Sequence, residues 1–482
     1  MYKTILIIFI LAFSAAPSLA QMEKVGSDSI PFAPAVYYET GKDSYSVFCA
    51  NLDGDSALDL AVASYDIDSV SILKNNGDGT FQKRVSYAVV HGPQHVFCAD
   101  LDGDSDLDLV VVNYLSNNIS ILKNNGDGTF QTKTDYTAGD NPMFAFCADL
   151  NGDEALDLAV ANHLSNNVSI LMNKGDGTFQ ARVNYAVGNY PWSVFCADLN
   201  GDLALDLAVS NSDTNQVSIL MNNGNGTFQT KVDYEVGNSP RSLFCADLDK
   251  DGDEDIAVPN FYDYTISILM NNGNETFKPK VDYIVGGMPE AVHCADMDGD
   301  SALDLVSANW GTNKVSILRN NGNGTFRTRV NYSAGAGERS LYCADLNGDL
   351  NLDIAVANST DNTVSILLNQ RVSDIDGDEH IDVLPQAFSL SQNYPNPFNP
   401  TTIIKFKFQG SKFKVPVHTT LKIYNILGNK VRTLVDESKW AGDYAVQWDG
   451  KNDKGEQSAS GIYFYELKVG ENTSSKKMLL LK

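Results

Sequence analysis

Basic residues are scarce in this sequence. It carries 35 Lys and Arg against 61 Asp and Glu, which gives a formal net charge of −26 at pH 7. A chain this acidic repels phosphate-rich partners, so we expect neither nucleic acid nor an anionic membrane to bind it. After the N-terminal apolar segment, no run approaches the ~20 apolar residues that a membrane-spanning helix needs. The sequence therefore predicts no transmembrane segment.

Catalytic signatures are missing as well. The chain has only six His, and it shows no Ser-His-Asp arrangement, zinc motif or phosphate-binding loop. Enzymes of the common hydrolytic and phosphoryl-transfer classes carry at least one of these patterns. We therefore expect a protein that is not an enzyme.

Cysteine is limited to seven residues, and they are evenly spaced. Each lies 49 residues after the previous one, at Cys49, Cys98, Cys147, Cys196, Cys245, Cys294 and Cys343. An equal step places the thiols at the same depth in successive structural units, farther apart than the ~5.5 Å Cα separation that a disulfide prefers. We expect seven buried, reduced cysteines that act as small apolar residues.

A helical period is absent from the repeat that these cysteines mark. The unit that starts at Trp192 divides into four β-rich runs, at residues 193–197, 205–210, 216–221 and 227–236, which turn residues separate. Four strands at this period are typical of β-propeller blades. The fold is expected to be all-β, a seven-bladed β-propeller followed by a small Ig-like β-sandwich.

The seventh unit stops near Asn369 without a fourth strand. Phe32 and Tyr38 occupy the positions of Phe81 and Tyr87, one period earlier. An N-terminal strand can therefore complete the last blade and close the ring, which removes the open edge of a linear array. The propeller is predicted to span residues 32–371, after a lead-in at residues 21–31.

An Asp-rich loop begins two residues after every cysteine. Alternating side-chain oxygens with a further carboxylate four residues on can supply the six to eight ligands that calcium requires. Seven carboxylate clusters in register would repel strongly without a cation, so we predict Ca²⁺ in these loops. The candidate ligands are Asn51, Asp53, Asp55 and Asp59; Asp100, Asp102, Asp104 and Asp108; Asp149, Asn151, Asp153 and Asp157; Asp198, Asn200, Asp202 and Asp206; Asp247, Asp249, Asp251 and Asp255; Asp296, Asp298, Asp300 and Asp304; and Asp345, Asn347, Asp349 and Asp353.

An eighth acidic loop is out of register with the others. It offers Asp374, Asp376, Asp378 and Asp382 in the linker at residues 372–385. We predict that calcium stiffens this linker, with a solvated acidic turn as the alternative.

The repeat core resembles a known family. The residues Cys-Ala-Asp-Leu-Asn-Gly-Asp at 196–202, followed by Leu-Asp-Leu-Ala-Val at 205–209, are similar to FG-GAP/VCBS repeats of integrin α-chain propellers and their bacterial relatives. The resemblance implies a propeller with calcium in the hairpin between the first two strands of each blade. It does not carry over a catalytic role, because the repeat occurs in adhesins, lectins and enzymes alike.

The two ends of the chain carry export signals. Residues 1–20 have the charged start, apolar run and small-residue end of a signal peptide. Residues 386–482 are basic, with 14 Lys and Arg against 8 Asp and Glu, and their Asn393-Tyr-Pro-Asn-Pro-Phe-Asn-Pro, Trp448-Asp-Gly and Gly461-Ile-Tyr-Phe-Tyr segments resemble the type A sorting domain of type IX secretion. That resemblance implies the type IX machinery as a partner and a secreted or outer-membrane surface location. A generic Ig-like domain is the alternative.

Ligand recognition is expected on the face opposite the calcium loops, where the repeats differ. The loops after the second strand and before the first strand meet there. Exposed aromatics suit stacking on a glycan or contact with a protein ligand, although they can also simply cap the blade ends. The candidates are Tyr65, Tyr114, His163, Trp192, Phe261 and Trp310, with His95, Phe144, Arg241, Glu290 and Arg339 nearby. His95, His163 and Arg241 also leave a propeller-type polysaccharide lyase or hydrolase as an alternative to a binding or adhesion module.

Overall fold

The computed structural model describes residues 29–371 and 388–480, with gaps at residues 391–392, 394–397, 399–400, 409–416, 426–429, 441, 456 and 470–471. The chain divides into two compact units, one before and one after residue 373. Among the described residues, no helix is long and apolar enough to cross a membrane.

The first unit is built from 28 short strands in seven four-stranded antiparallel sheets. The N-terminal strand is β1 (Val36–Glu39). Blade one contains β2 (Ser44–Ala50), β3 (Asp59–Ser64), β4 (Ser69–Leu73) and β5 (Val85–Ala88), with a 3₁₀ turn at Tyr65–Ile67. Blade two contains β6 (Pro93–Ala99), β7 (Asp108–Asn113), β8 (Asn118–Leu122) and β9 (Thr134–Thr137). Blade three contains β10 (Pro142–Ala148), β11 (Asp157–Asn162), β12 (Asn167–Leu171) and β13 (Val183–Ala186).

The remaining blades repeat this order. Blade four contains β14 (Pro191–Ala197), β15 (Asp206–Asn211), β16 (Gln216–Leu220) and β17 (Val232–Glu235). Blade five contains β18 (Phe244–Ala246), β19 (Asp255–Asn260), β20 (Thr265–Leu269) and β21 (Val281–Ile284). Blade six contains β22 (Met288–Ala295), β23 (Asp304–Trp310), β24 (Lys314–Leu318) and β25 (Val330–Ser333). Blade seven contains β26 (Glu338–Ala344), β27 (Asp353–Asn358) and β28 (Thr363–Leu367), and β1 is its fourth strand.

The strand pattern follows from burial on both faces of each sheet. The second strand is buried throughout in six blades, as in the Asp-Leu-Ala-Val-Ser-Asn sequence of β15, and in β23 only the last residue, Trp310, is partly exposed. β-branched and small residues suit such a strand because they pack against the sheets on either side. The fourth strand is shorter than the sequence predicts: β17 covers Val232–Glu235, and Phe228 makes only an isolated bridge to Asn222. The seven-bladed propeller itself is confirmed.

The N-terminal strand β1 pairs antiparallel with β28 from Val36 opposite Ile366 to Glu39 opposite Thr363. The contact continues outward, because Phe32 bridges Asn369 and the N–H of Ala33 donates to the carbonyl of Leu368 at 2.8 Å. The ring is thus closed by hydrogen bonds between the first and last parts of the propeller chain.

Edge-to-face aromatic pairs join each outer strand to the next blade. The tyrosine in the fourth strand of one blade packs against a phenylalanine of the following blade at 4.8–5.3 Å between ring centroids. The pair between Phe32 and Tyr332 is the seventh of this series. Inside the blades, all seven cysteines are buried and free, as predicted.

The second unit is a β-sandwich. Its strands are β29 (Phe388–Leu390), β30 (Thr402–Phe408), β31 (Val417–Asn425), β32 (Lys430–Lys439), β33 (Gly442–Trp448), β34 (Gly461–Val469) and β35 (Asn472–Leu480). One sheet has the order β29-β30-β33 and the other β32-β31-β34-β35. Trp448, Tyr465 and Phe406 are buried between the sheets, so the predicted Ig-like sandwich is confirmed.

Candidate calcium loops and ligand-binding face

Each acidic loop joins the first strand of a blade to the second, and its backbone N–H groups turn toward the side chain of its first candidate ligand. In blade four, Asp198 Oδ1 accepts from the N–H of Gly201 at 2.8 Å, and Oδ2 accepts from the N–H of Leu203 at 2.9 Å. This turn requires positive φ at two positions, for example Gly201 at 78° and Leu203 at 73°. Glycine tolerates that conformation without a steric cost, which explains its place after the second candidate ligand.

Three of the loops gather three carboxylates whose oxygens lie within 4.8 Å of one another. They are Asp100, Asp102 and Asp104; Asp247, Asp249 and Asp251; and Asp296, Asp298 and Asp300. An oxygen-only donor set of this kind fits calcium. Asp102 Oδ1 is also buried with no hydrogen-bond partner, and such an orphaned acceptor carries a large desolvation cost unless a cation contacts it. The residues present therefore fit the metal that the loops imply.

The second candidate ligand differs between loops, and so does its neighbour. In loops three, four and seven it is an asparagine, and Asn200 Nδ2 donates to Asp202 Oδ2 at 3.1 Å. In loops one, two and six it is an aspartate that pairs with a basic side chain: Lys74 lies 3.1 Å from Asp53, Lys123 lies 2.9 Å from Asp102, and Arg319 contacts Asp298. Loop five has Asp249 but Met270 at the equivalent of Lys74. Loop five is therefore the most acidic of the seven.

The fourth candidate ligand of every loop is placed differently from the other three. Asp206 is fully buried, its Oδ2 accepts from the N–H of Leu199 at 3.1 Å, and its Oδ1 accepts from the N–H of Asn222 at 2.7 Å. Burial raises the pKa of Asp206 to about 6. Both carboxylate oxygens thus tie the loop to the turn between the third and fourth strands. The same pair of hydrogen bonds is made by Asp59, Asp108, Asp157, Asp206, Asp255, Asp304 and Asp353. Each of these carboxylates thus accepts two backbone N–H groups, and metal ligation by them stays a prediction.

The asparagine whose N–H binds this carboxylate also joins neighbouring blades. Asn222 Nδ2 donates to the carbonyl of Leu205 in its own blade at 2.9 Å and to the carbonyl of Leu150 in the preceding loop at 2.8 Å. Every blade repeats the pair, and Asn75 closes the series on Leu346 of blade seven. These asparagines therefore link one acidic loop to the next blade. The eighth loop, Asp374 to Asp382, lies outside the described residues.

On the opposite face, one variable residue projects from each blade, and in six of the blades it lies at a β-bulge. The pairing of the first and second strands shifts there, as between Pro191 and Ser193, which leaves Trp192 unpaired. A bulge of this kind redirects a side chain away from the sheet. The seven equivalent residues are Tyr45, Gln94, Met143, Trp192, Arg241, Glu290 and Arg339. We call this ring the channel mouth.

The channel below the mouth is lined by a ring of aromatic side chains. Neighbouring ring centroids are 4.6–5.3 Å apart around the full circle. The members are Phe48, Phe97, Phe146, Phe195, Phe244, His293 and Tyr342. Burial lowers the pKa of His293 to about 4, so this ring carries no charge at neutral pH. These residues recur at the 49-residue period, but only the packing of the blades shows that they form a ring.

Most of the predicted ligand contacts belong to one connected cluster at the mouth. The Cζ atom of Arg241 lies 3.7 Å from the ring centroid of Trp192 and 4.4 Å from that of Phe261. His163 packs against Trp192, and the rings of Phe261 and Trp310 are 6.1 Å apart. Phe261 is only 7% exposed, so it supports Arg241 and is not free to stack on a ligand as predicted.

The cluster continues around the mouth through charged residues. Arg339 donates to Glu290 Oε1 at 3.1 Å and lies over the ring of Tyr45, which in turn stacks on Tyr65. Tyr114 is the equivalent of Tyr65 in blade two, and its carbonyl accepts a hydrogen bond from Asn141 Nδ2. His95 is stacked on Phe144 at 3.7 Å, and burial lowers its pKa to about 3. His95 is therefore neutral and serves packing.

Two cavities open on this face. The smaller, of about 60 Å³, lies at the mouth between residues that include Tyr45, His95, Glu290 and Arg339. The larger is an open cleft of about 350 Å³ beside Trp192, within the range of small-ligand sites. Its lining combines aromatic and polar groups: His163, Tyr190, Trp192, Ser212, Asp213, Asn215, Asn238, Ser239, Arg241 and Tyr262. We call it the Trp192 cleft. The sequence analysis missed Tyr190 and Tyr262, which lie on loops that vary between repeats.

Comparison with solved structures shows the propeller fold. The N-terminal region of BBS1, solved in complex with ARL6, matches with a TM-score of 0.52 at 14% identity, over 71% of this chain and 100% of that one. A Bacteroides uniformis protein proposed to be a 6-phosphogluconolactonase matches with a TM-score of 0.50 at 13% identity, over 67% and 92%. An Agrocybe aegerita lectin that recognises terminal N-acetylglucosamine gives a TM-score of 0.46 at 19% identity, over 63% and 90%, which is too low to bear on the ligand.

Family models match both units of the chain. The FG-GAP-like repeat matches residues 51–111, 100–160, 149–209, 198–258 and 296–356, and the FlgD Ig-like domain matches residues 402–474. No curated protein sequence matches the chain. With more than half of its residues matched, the chain belongs to the FG-GAP-like repeat family.

Proposed function

We propose that this protein is a calcium-binding propeller that acts as an exported binding or adhesion module, with its ligand on the face opposite the acidic loops. The observation that carries the proposal is the Trp192 cleft. It is open to solvent, it is bounded by residues that differ between repeats, and it presents Tyr190 and Tyr262 with 41% and 56% exposure.

The composition of the cleft favours a glycan over a protein ligand. Aromatic rings stack on the apolar faces of sugars, while asparagine, aspartate and serine side chains meet sugar hydroxyls. Ser212, Asp213, Asn215, Asn238 and Ser239 supply such groups around the aromatic residues. His163, the histidine of this cleft, stacks on Tyr190 at 4.6 Å, and burial lowers its pKa. A neutral, packed histidine favours binding without turnover, so a lyase or hydrolase stays the second candidate.

Alanine at both Trp192 and Trp310 is expected to weaken glycan binding roughly tenfold or more, because the double variant removes the supports of the cleft wall. The measurement is a glycan array on the full chain with calcium, followed by calorimetry on the best ligand. Trp440→Ala is the matched control, since Trp440 is 60% exposed on the other unit.

Two results would count against the proposal. Retained affinity in the double variant, with an unchanged melting temperature, would move the ligand away from this face. Release of shortened or unsaturated products from the bound glycan would replace the binding module with an enzyme.

We also propose that the C-terminal unit directs export through type IX secretion. The proposal rests on the resemblance of residues 386–482 to type A sorting domains. Asn393 is the first residue of the Asn-Tyr-Pro-Asn segment on which this resemblance depends. It is buried, and its Nδ2 donates to Thr402 Oγ1 at 3.0 Å, so it has a structural role in the domain.

Deletion of residues 386–482 is expected to retain the propeller inside a host that has a type IX system. The measurement is the fraction of propeller in the medium and on the cell surface, compared with the full chain in the same host and in a host without that system. Equal export of the truncated and full chains would contradict the proposal.

A further inference from the structure

We propose that the ligand of the Trp192 cleft is an acidic saccharide, and that Arg241 binds the carboxylate of a uronate unit. The inference rests on the proposed glycan-binding function and adds the charge of the ligand to it. It starts from an arginine whose surroundings fix its position and leave its donors unused.

The guanidinium of Arg241 lies against two aromatic rings. Its central carbon is 3.7 Å from the ring centroid of Trp192 and 4.4 Å from that of Phe261. Cation–π contacts of this kind hold the guanidinium in place, and its five N–H groups point outward in its own plane. The two rings therefore fix the position of Arg241 without using its hydrogen-bond donors.

The backbone of Arg241 is fixed as well, because the first strand of blade five is interrupted. Pro259 in β19 has no N–H to donate, and β18 is correspondingly short, at Phe244–Ala246. The N–H of Arg241 donates to the Pro259 carbonyl at 3.0 Å, and Ser210 Oγ of blade four donates to the carbonyl of Arg241. The backbone N–H and the carbonyl of Arg241 are thus both held by hydrogen bonds before any ligand binds.

The acidic neighbours leave Arg241 without a close partner. Glu290, which is 5% exposed, pairs mainly with Arg339, whose Nη1 donates to Glu290 Oε1 at 3.1 Å. Glu290 Oε2 is 3.8 Å from Arg241 Nε, which is an ion-pair distance but too long for a hydrogen bond, and Arg241 Nε is buried without a partner. A carboxylate that reached the edge of this guanidinium would form charge-assisted, bidentate hydrogen bonds.

The remaining charges in the cleft suit a sugar acid better than an acidic peptide. Asp213 lines the same cleft, and a peptide with several carboxylates would meet its charge. A uronate carries one carboxylate beside neutral hydroxyls, so Asp213 can accept from a hydroxyl while Arg241 binds the carboxylate. Tyr190 and Tyr262 are the exposed rings on which the sugar can stack. His163 faces the cleft in its neutral form and adds no charge.

The test is calorimetric titration of the full chain with trigalacturonate, with its methyl ester, and with a neutral trisaccharide, at constant calcium. We expect the acid to bind roughly 10- to 100-fold more tightly than its ester, as one charge-assisted bidentate contact would give. Arg241→Gln should abolish this preference and leave the affinity for the ester unchanged. Arg241→Lys should restore only part of it, because an ammonium lacks the planar fork.

Arg84→Gln is the matched control, since Arg84 lies on blade one and donates to Ser86. Equal binding of the acid and the ester by the unsubstituted chain would overturn the inference and leave the glycan-binding function standing. Binding of polyglutamate but of no saccharide would overturn both, as would binding of no glycan at all. If the Arg241→Gln variant unfolds, its melting temperature will be lowered. The inference is then tested by the unsubstituted chain alone, through its relative affinity for the acid and the ester.

Discussion

Chelation of calcium is expected to lower the melting temperature of the chain by roughly 10–15 °C. Extracellular calcium sites have dissociation constants of ~10⁻⁴ M, so at 1 mM calcium each site adds about 1.4 kcal/mol by mass action. Seven such sites add roughly 10 kcal/mol, and a propeller of this length loses about 1 °C for each 0.7 kcal/mol. Removing the ion also leaves the clustered carboxylates facing one another unscreened.

The measurement is thermal unfolding in calcium, in excess EGTA, and in EGTA already saturated with calcium as the control. Elemental analysis of the chain after dialysis gives the number of ions bound. Asp249→Asn, in the most acidic loop, should remove one ion, whereas Asp127→Asn, in the turn between β8 and β9, should remove none. An unchanged melting curve together with no bound metal would refute calcium in these loops.

Deletion of residues 29–40 is expected to prevent cooperative folding of the propeller at 37 °C. The deletion strips β1 from β28 and leaves the row of backbone donors and acceptors on β28 open. It also removes Ile30, which is 4% exposed and donates its N–H to Tyr332 Oη at 2.8 Å, and it breaks the contact of Phe32 with Tyr332. Burial of one such side chain and the lost backbone hydrogen bonds together amount to roughly 5–10 kcal/mol, which is comparable with the whole stability of many domains.

The measurement is near-ultraviolet circular dichroism and size-exclusion chromatography of the truncated chain. A synthetic peptide of residues 29–41, added in trans, should restore the native spectrum by rebuilding the fourth strand of blade seven. The same peptide with Phe32→Ala and Tyr38→Ala is the control, and it should restore less. A truncated chain that melts at the temperature of the full chain would show that the ring does not depend on this closure.

The two predictions separate local from long-range contributions to stability. Each acidic loop acts within one blade and, through an asparagine such as Asn222, on the blade before it. The N-terminal segment acts on blade seven, which it completes, and on the two blades beside it through Tyr332 and Phe81. Calcium removal should therefore weaken every blade by a similar amount, while the deletion should weaken the ring at one point.

The sequence by itself determined the repeat, the number of blades and the acidic loops. A 49-residue step with four β-rich runs leaves few alternatives to a propeller, because each run must bury two faces. The position of Phe32 and Tyr38 one period before Phe81 and Tyr87 predicts the closing strand, since a strand in that register has one free edge to pair with. These features are local or periodic, and periodicity can be found without knowing any contact.

Only the tertiary structure decided what the individual side chains do. Asp206 follows the pattern of a calcium ligand in the sequence, and the fold gives it a further role by bringing two backbone N–H groups to its oxygens. Phe261 belongs to a variable loop, as a ligand contact should, but Arg241 covers it. Arg241, Glu290 and Arg339 are spaced 49 residues apart and meet only because consecutive blades converge on the channel. The bulges that direct Glu290 and Arg339 toward it depend on strand pairing. The sequence therefore fixes which blade carries each residue, and the radial packing of the blades decides which residues touch.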